Sequence, residues 1–299
     1  MTSARGGLAG MTAVLALGNF SSPGLPTSSG SFSAEGSFLT YDPESPTADV
    51  ETLSDLLSEQ IRLHGQVLAL IPSWRPEPAT RLLDTAKSIL ETSAIAVGRS
   101  DLPPLALSVL GHQLAALADR EVPGGSLISA IPFLGDQMVT VAWLDSVANL
   151  SDPPPNLKQH IRSWLPGQGF AVIFKPQPLV VAIKKSAPPP QLPLQPLSQP
   201  CAIAVADGGG DADWLRSTAV PLLGSKDVIS VRPSSLSEQR WGTARYVELV
   251  GYSVDLAGLE SSIAAKFPCL PCVWCGEPAH GTTCPWCSHS RLEPTGAPV

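Results

Sequence analysis

Short, wholly apolar runs alternate with amphipathic stretches along the first part of the chain, and this alternation restricts the possible architecture more than any other feature. Leu53, Leu56, Leu57 and Ile61 share one helical face, Ser54, Asp55, Glu59 and Gln60 lie opposite, and Gly65 stands where a C-cap belongs. An apolar run at 67–71 follows at once and ends at Pro72. Leu82, Leu83, Ala86, Ile89 and Leu90 then repeat the helical spacing before a second apolar run at 94–97. Asp101 sits at an N-cap position, Pro103 and Pro104 fit a first turn, and Leu110, Leu114 and Leu117 mark the next helix. Strands alternating with helices predict an α/β layer with parallel pairing.

Around this core the pattern is less regular. Residues 19–47 are rich in Ser, Gly, Pro and Thr and read as a loop. Gly124 and Gly125 read as a turn, 138–144 as a strand, and Leu157, Ile161 and Trp164 define a short helix. Two runs at 170–174 and 179–183 read as a hairpin. The uncharged, proline-dense stretch 186–200 favours extended polyproline geometry and marks the main boundary. Beyond it come strands at 202–206, 228–231 and 246–250 and helices at 211–223 and 255–265. The expected organisation is a loop-rich segment 1–47, an α/β domain 48–186, a linker 187–200, a small α/β domain 201–268 and a terminal module 269–299. The fold class is therefore α/β, with two unequal lobes joined by a proline-rich segment and closed by a small C-terminal module.

Charge and hydropathy exclude several functions. The 299-residue chain carries a formal net charge of -7, which argues against a protein built to coat nucleic acid or an anionic membrane, although a local basic patch stays open. No apolar run reaches the ~18 residues of a membrane span. Residues 8–17 behind Arg5 have the length of a signal-peptide core, but Gly10 and Thr12 interrupt them and no A-x-A site follows promptly; Met11 is an alternative start, with 12–17 then reading as a first strand. Five of the six cysteines fall between Cys269 and Cys287, which favours a metal cage in a reducing, cytoplasmic setting over a secreted disulfide framework.

The cysteines fall as Cys272-x-x-Cys275, eight residues, then Cys284-x-x-Cys287. Each pair can form a knuckle with both thiolates pointing inward, two knuckles complete a tetrahedron for Zn²⁺, and Gly276 suits the turn after the second ligand. Residues 269–291 resemble the zinc-ribbon family, including double zinc ribbons, although the spacer is short for that family. The resemblance implies a structural zinc ion held by Cys272, Cys275, Cys284 and Cys287, and no particular function. Cys269, His280 or His289 could replace a ligand, a rubredoxin-like iron site is chemically open, and Cys284-Pro-Trp-Cys287 alone looks like a thioredoxin-type dithiol without the following helix that motif needs.

Asp207-Gly-Gly-Gly-Asp211 lies between a strand and a helix, where α/β sheets take ligands, making Asp207 and Asp211 candidate catalytic residues. The plainer reading is a tight turn with Asp211 or Asp213 as N-cap. No H-E-x-x-H or G-x-S-x-G occurs, and the sequence sets no carboxylate or cysteine at a matched spacing from His64, His112 or His160. Arg240, Arg245 and Trp241 have the chemistry to grip an anion or stack on a base, but Glu238 and Glu248 beside them favour a mixed-charge surface. Trp274 and Trp286, equivalent in the two knuckles, are expected to contact a protein partner. The functional expectation is a non-catalytic protein-interaction or assembly factor; the alternatives are an α/β enzyme with a ligand or metal site near Asp207, and a nucleic-acid-binding ribbon.

Overall fold

The protein, a computed structural model, is described over residues 11–18, 20, 38–77, 79–165, 167–184 and 188–290. The start of the signal-like run at 8–10, residues 21–37 of the expected loop and the tail from Arg291 lie outside the described residues. Thr12–Leu17 (β1), Phe38–Tyr41 (β2), Gln66–Pro72 (β3) and Ile95–Ser100 (β4) form a parallel sheet in the order β2-β1-β3-β4. Val50–His64 (α1) and Ala79–Leu90 (α2) cover one face, packing Leu53, Leu57, Leu83 and Ala86 on Leu15, Leu17, Val67 and Ile71. Asp49 caps α1 by accepting from the Thr52 amide at 2.7 Å, and Gly65, at φ 81°, closes it.

The opposite face meets Pro104–Ala118 (α3) and Gly124–Asp136 (α4). Every residue of α3 is buried, the mark of a helix enclosed on all sides. Its far side rests on a second sheet of Val139–Leu144 (β5), Gln168–Lys175 (β6), Leu179–Lys184 (β7), Cys201–Gly208 (β8), Val228–Val231 (β9) and Tyr246–Ser253 (β10), ordered β7-β6-β5-β10-β8-β9. This sheet is antiparallel except for the β8–β9 pair. Its outer face is covered by Ala212–Thr218 (α6), Val220–Leu223 (α7) and the proline-rich stretch, whose Leu192 and Leu194 are buried against Ile203 and Val205. The boundary expected at 187–200 thus falls within one sheet, with β5–β7 before it and β8–β10 after. Ser235–Trp241 (α8) and Leu256–Lys266 (α9) flank α3, and the short Leu157–Arg162 (α5) lies beside β7.

The glycine pair expected as a turn instead opens α4. A Cβ on Gly124 would stand 2.7 Å from the Trp286 ring, and one on Gly125 would stand 2.4 Å from the Pro278 carbonyl oxygen. These glycines answer a close approach of the C-terminal module, built on Leu270–Pro271 (β11) and Pro278–Ala279 (β12), and not a need for chain reversal. The strand β2 and the helix α8 carry no clear periodicity, because both are short and flanked by polar residues in the chain.

His112, in the middle of α3, stacks on Phe38 with ring centroids 4.2 Å apart. Burial lowers its pKa from 6.5 to about 4. Between these values the unfolded chain takes up a proton that the folded chain refuses, so stability present above pH 6.5 is lost as pH falls toward 4. The loss is about 3 kcal/mol at ~1.4 kcal/mol per unit. Urea unfolding of the wild type and His112→Leu across this range should show a shallower acid loss in the variant.

Candidate functional site

The C-terminal ends of β3 and β4 and the start of α3 face β10, α8 and β6 across the seam between the two sheets. Loop ends at this edge of a parallel sheet are where α/β proteins place ligands. Here the seam holds a buried polar cluster set in apolar surroundings. Tyr246, Glu248, Val250 and Tyr252 alternate along β10 toward α3, so the strand's period delivers Glu248 to the interior. Its Oε2 accepts from the Ser237 hydroxyl at 2.6 Å and its Oε1 from the Trp241 indole N–H at 2.9 Å, both donors lying on α8. The Leu105 amide of α3 donates to it as well. Pro104 has no N–H, so Leu105 offers the first unpaired donor of the helix, and the carboxylate meets the positive end of the α3 dipole. Burial nonetheless outweighs these donors and raises the pKa of Glu248 above the ordinary 4.5.

Arg240, one turn along α8 from Ser237, has a side chain only 3% exposed. Its guanidinium lies 5.6 Å from the ring centroid of Trp74 and 5.2 Å from that of Phe174, distances at which aromatic faces attract a cation. One nitrogen pairs at 3.0 Å with Asp152, whose side chain is half exposed, while Nε is buried without a hydrogen-bond partner. Trp74 is held by its indole N–H donating to the Leu102 carbonyl at 3.0 Å. The cluster therefore presents a cation against an aromatic wall, which together suit a carboxylate joined to an apolar body. The mixed-charge surface expected of Arg240, Trp241 and Glu248 is corrected: all three are buried. The signal available in the sequence was the apolar residue on each side of Glu248, the pattern of a strand covered on both faces.

The other expected site residues lie elsewhere. Asp207 accepts from the Gly209 amide at 2.9 Å and Asp211 accepts from the Trp214 amide to cap α6. Both line a polar surface cleft of about 730 Å³ with Asp145, Asp213, Arg216 and Arg245. The sulfurs of Cys272, Cys275, Cys284 and Cys287 lie within 4.8 Å of one another, a group able to hold a metal ion. Gly276 adopts φ 78° after the first knuckle. Cys269 stands apart, 3.1 Å from the Ser126 hydroxyl, and His280 contacts the Pro268 carbonyl. Trp286 is buried against Cys272, Cys284 and Ala96, whereas Trp274 is 75% exposed and stacks on His289. Trp286 is thus committed to packing and is closed to a partner.

No protein-family model matches the chain, and no curated protein does. Among solved structures the fold is that of DegV family proteins. A DegV family protein from Corynebacterium glutamicum is 14% identical, covers 82% of this chain and 97% of its own, and superimposes with a TM-score of 0.53. One from Thermus thermophilus, described by its fatty acid binding, is 10% identical over 81% of this chain and 99% of its own, with a TM-score of 0.51. The Streptococcus pneumoniae fatty acid kinase B3 protein loaded with linoleic acid is 11% identical over 82% and 100%, with a TM-score of 0.50. These likenesses correct the expected function. Two of these three are described by the fatty acid that they bind or carry, which overturns the zinc-ribbon assembly factor with a protein partner, the enzyme at Asp207 and the nucleic-acid ribbon. Among the described residues, no helix is long and apolar enough to cross a membrane.

Because Glu248 has a raised folded pKa, its proton stabilises the fold below the unfolded value of 4.5, and that contribution is lost as pH climbs toward the folded pKa. Glu248→Gln removes the charge and keeps an acceptor for Trp241. Its melting temperature should gain on the wild type as pH rises from 4.5 upward, read by calorimetry; a constant difference would remove the buried charge from the account.

Proposed function

We propose that this protein binds a long-chain fatty acid in the seam between its two sheets, with Arg240 receiving the carboxylate. The observation that carries the reading is Arg240 itself: a buried cation with a free Nε, walled by Trp74 and Phe174, at the edge of a continuous apolar core. A buried cation is expensive unless it serves a paired anion, and the carboxylate in direct contact with it, Asp152, is half exposed, while Glu248 acts on it only through the field. An incoming carboxylate displaces Asp152 into water and takes its place, and the acyl chain extends along the apolar side chains that line the seam, Phe174, Leu102 and Leu236 among them. Fatty-acid-loaded proteins of the same fold support this choice of ligand. Purified protein should therefore yield a fatty acid on organic extraction and bind palmitate or oleate in calorimetry. A charge-assisted hydrogen bond is worth about 1.5–3 kcal/mol, so Arg240→Leu should weaken binding ~10- to 100-fold. Asp152→Asn, which removes the competing carboxylate, should tighten it. Tight binding indifferent to both changes would place the ligand elsewhere.

We further propose that the four-cysteine cluster holds one structural Zn²⁺. Four thiolates at this spacing close a tetrahedral site and leave no open position for catalysis. The module they close is not a detached tip. Trp286 seats against Gly124 and donates to the Pro278 carbonyl at 3.2 Å, and Gln66 of β3 donates to Glu277. Elemental analysis should give one zinc per chain. Structural zinc supplies on the order of 10 kcal/mol to such units. Cys284→Ser should lower the melting temperature of the whole molecule, and a drop confined to the C-terminal module would show that its contacts with α4 carry no energy.

A further inference from the structure

The short helix α5 is built inside out. Its polar residues face the body of the protein: Gln159 donates to the Val180 carbonyl of β7 at 2.5 Å, and the Ser163 hydroxyl accepts from the Val147 amide at 3.0 Å. Asn156 and Gln159 close a capping box that fixes the helix start. The helical turn continues through Leu165 by hydrogen bonds from the Trp164 and Leu165 amides. On the opposite face Leu157, Ile161, Trp164 and Leu165, at spacings of four, three and one, are 75, 60, 81 and 54% exposed. No residue of α5 is buried. A soluble helix ordinarily turns such a face to the core, so a contiguous apolar patch with an outward tryptophan marks a surface meant for an apolar phase.

Charge identifies that phase. In a chain of net charge -7, no acidic residue occurs between Asp152 and Asp207, whereas Lys158, Arg162, Lys175, Lys184 and Lys185 all fall there. Lys158 and Arg162 are exposed on α5 itself, and Lys184 is exposed at the end of the edge strand β7, the neighbour of α5. Among the described basic residues of this stretch, only Lys175 is given over to an ion pair, with Asp136. Apolar side chains ringed by lysine and arginine, with tryptophan among them, match the boundary between acyl chains and anionic headgroups. We infer that this face docks the protein on an anionic lipid bilayer, with Trp164 and Ile161 inserted at the headgroup level and Lys158 and Arg162 against the lipid charge. Asp145, Asp207 and Asp213 in the cleft that Trp164 also borders oppose a purely electrostatic attachment, so the apolar side chains carry the contact and the basic ones orient it. The inference stands on this face alone and is independent of what the seam binds.

Co-sedimentation of the full chain with phosphatidylcholine vesicles, with and without phosphatidylglycerol, tests it. The wild type should pellet with the anionic vesicles, less with neutral ones, and less at high salt. The double variant Ile161→Ser, Trp164→Ala should lose about tenfold or more in vesicle affinity, and Lys158→Glu with Arg162→Glu a comparable factor. These side chains are solvent-exposed, so unchanged melting curves should accompany the loss. Failure of the wild type to pellet with anionic vesicles overturns the inference, as does equal pelleting by the apolar double variant. A dimer in light scattering that the apolar variant dissolves would assign the face to a second copy and also overturn it. Arg240→Leu should leave vesicle binding intact, which separates this result from the acyl-ligand reading.

Discussion

The structure depends on the complete burial of α3. Leu105, Leu107, Val109, Leu110, Leu114 and Leu117 point to every side of the helix, and even Ser108, His112 and Gln113 are buried, so the helix is stable only when enclosed. The parallel sheet supplies one layer and the mixed sheet the other. Two sheets that would each be an open-faced half-fold become one body because a single helix is wrapped by both. Gly111 allows this closeness on the β2 side, where a Cβ would meet the Phe38 ring at 2.3 Å.

Enclosing a helix has a consequence at its N-terminus. Donors that would ordinarily face water are brought inside and must find acceptors within the protein. Glu248 supplies one from the opposite sheet, and α8 contributes Ser237, Trp241 and Arg240 around it. The polar cluster in the seam therefore follows from the same burial that holds the sheets together. A region that must already hold charge in an apolar setting is also one where an amphipathic ligand finds both a partner for its head and a phase for its tail.

The C-terminal module extends this economy of contacts to α4. Trp286, equivalent by sequence to Trp274, is buried while its counterpart is exposed, because the Trp286 ring lies against Gly124 and Ala96 whereas that of Trp274 points outward onto His289. Two residues with identical local spacing thus acquire opposite environments from what lies beside them. The same holds for α5, whose amphipathic pattern is ordinary in sequence and reversed in orientation by hydrogen bonds to β7 and to the loop after β5.

What was legible in the sequence was local in origin. Helical periodicity located α1, α2, α3 and α9, apolar runs located β1, β3, β4 and the β6–β7 pair, and cysteine spacing brought out the four sulfurs that come together. Each of these is written in residues a few positions apart. The seam was not legible, because Trp74, Leu105, Asp152, Phe174, Arg240 and Glu248 are assembled from five distant segments, and nothing near Glu248 announces that Leu105 will donate to it. Glycine at 124 and 125 speaks equally for a turn and for close packing until the partner surface is known. Periodicity and spacing thus determined which elements form, while only the tertiary structure decided which charges are buried and which apolar faces remain in water, since burial is a property of what arrives from elsewhere in the chain.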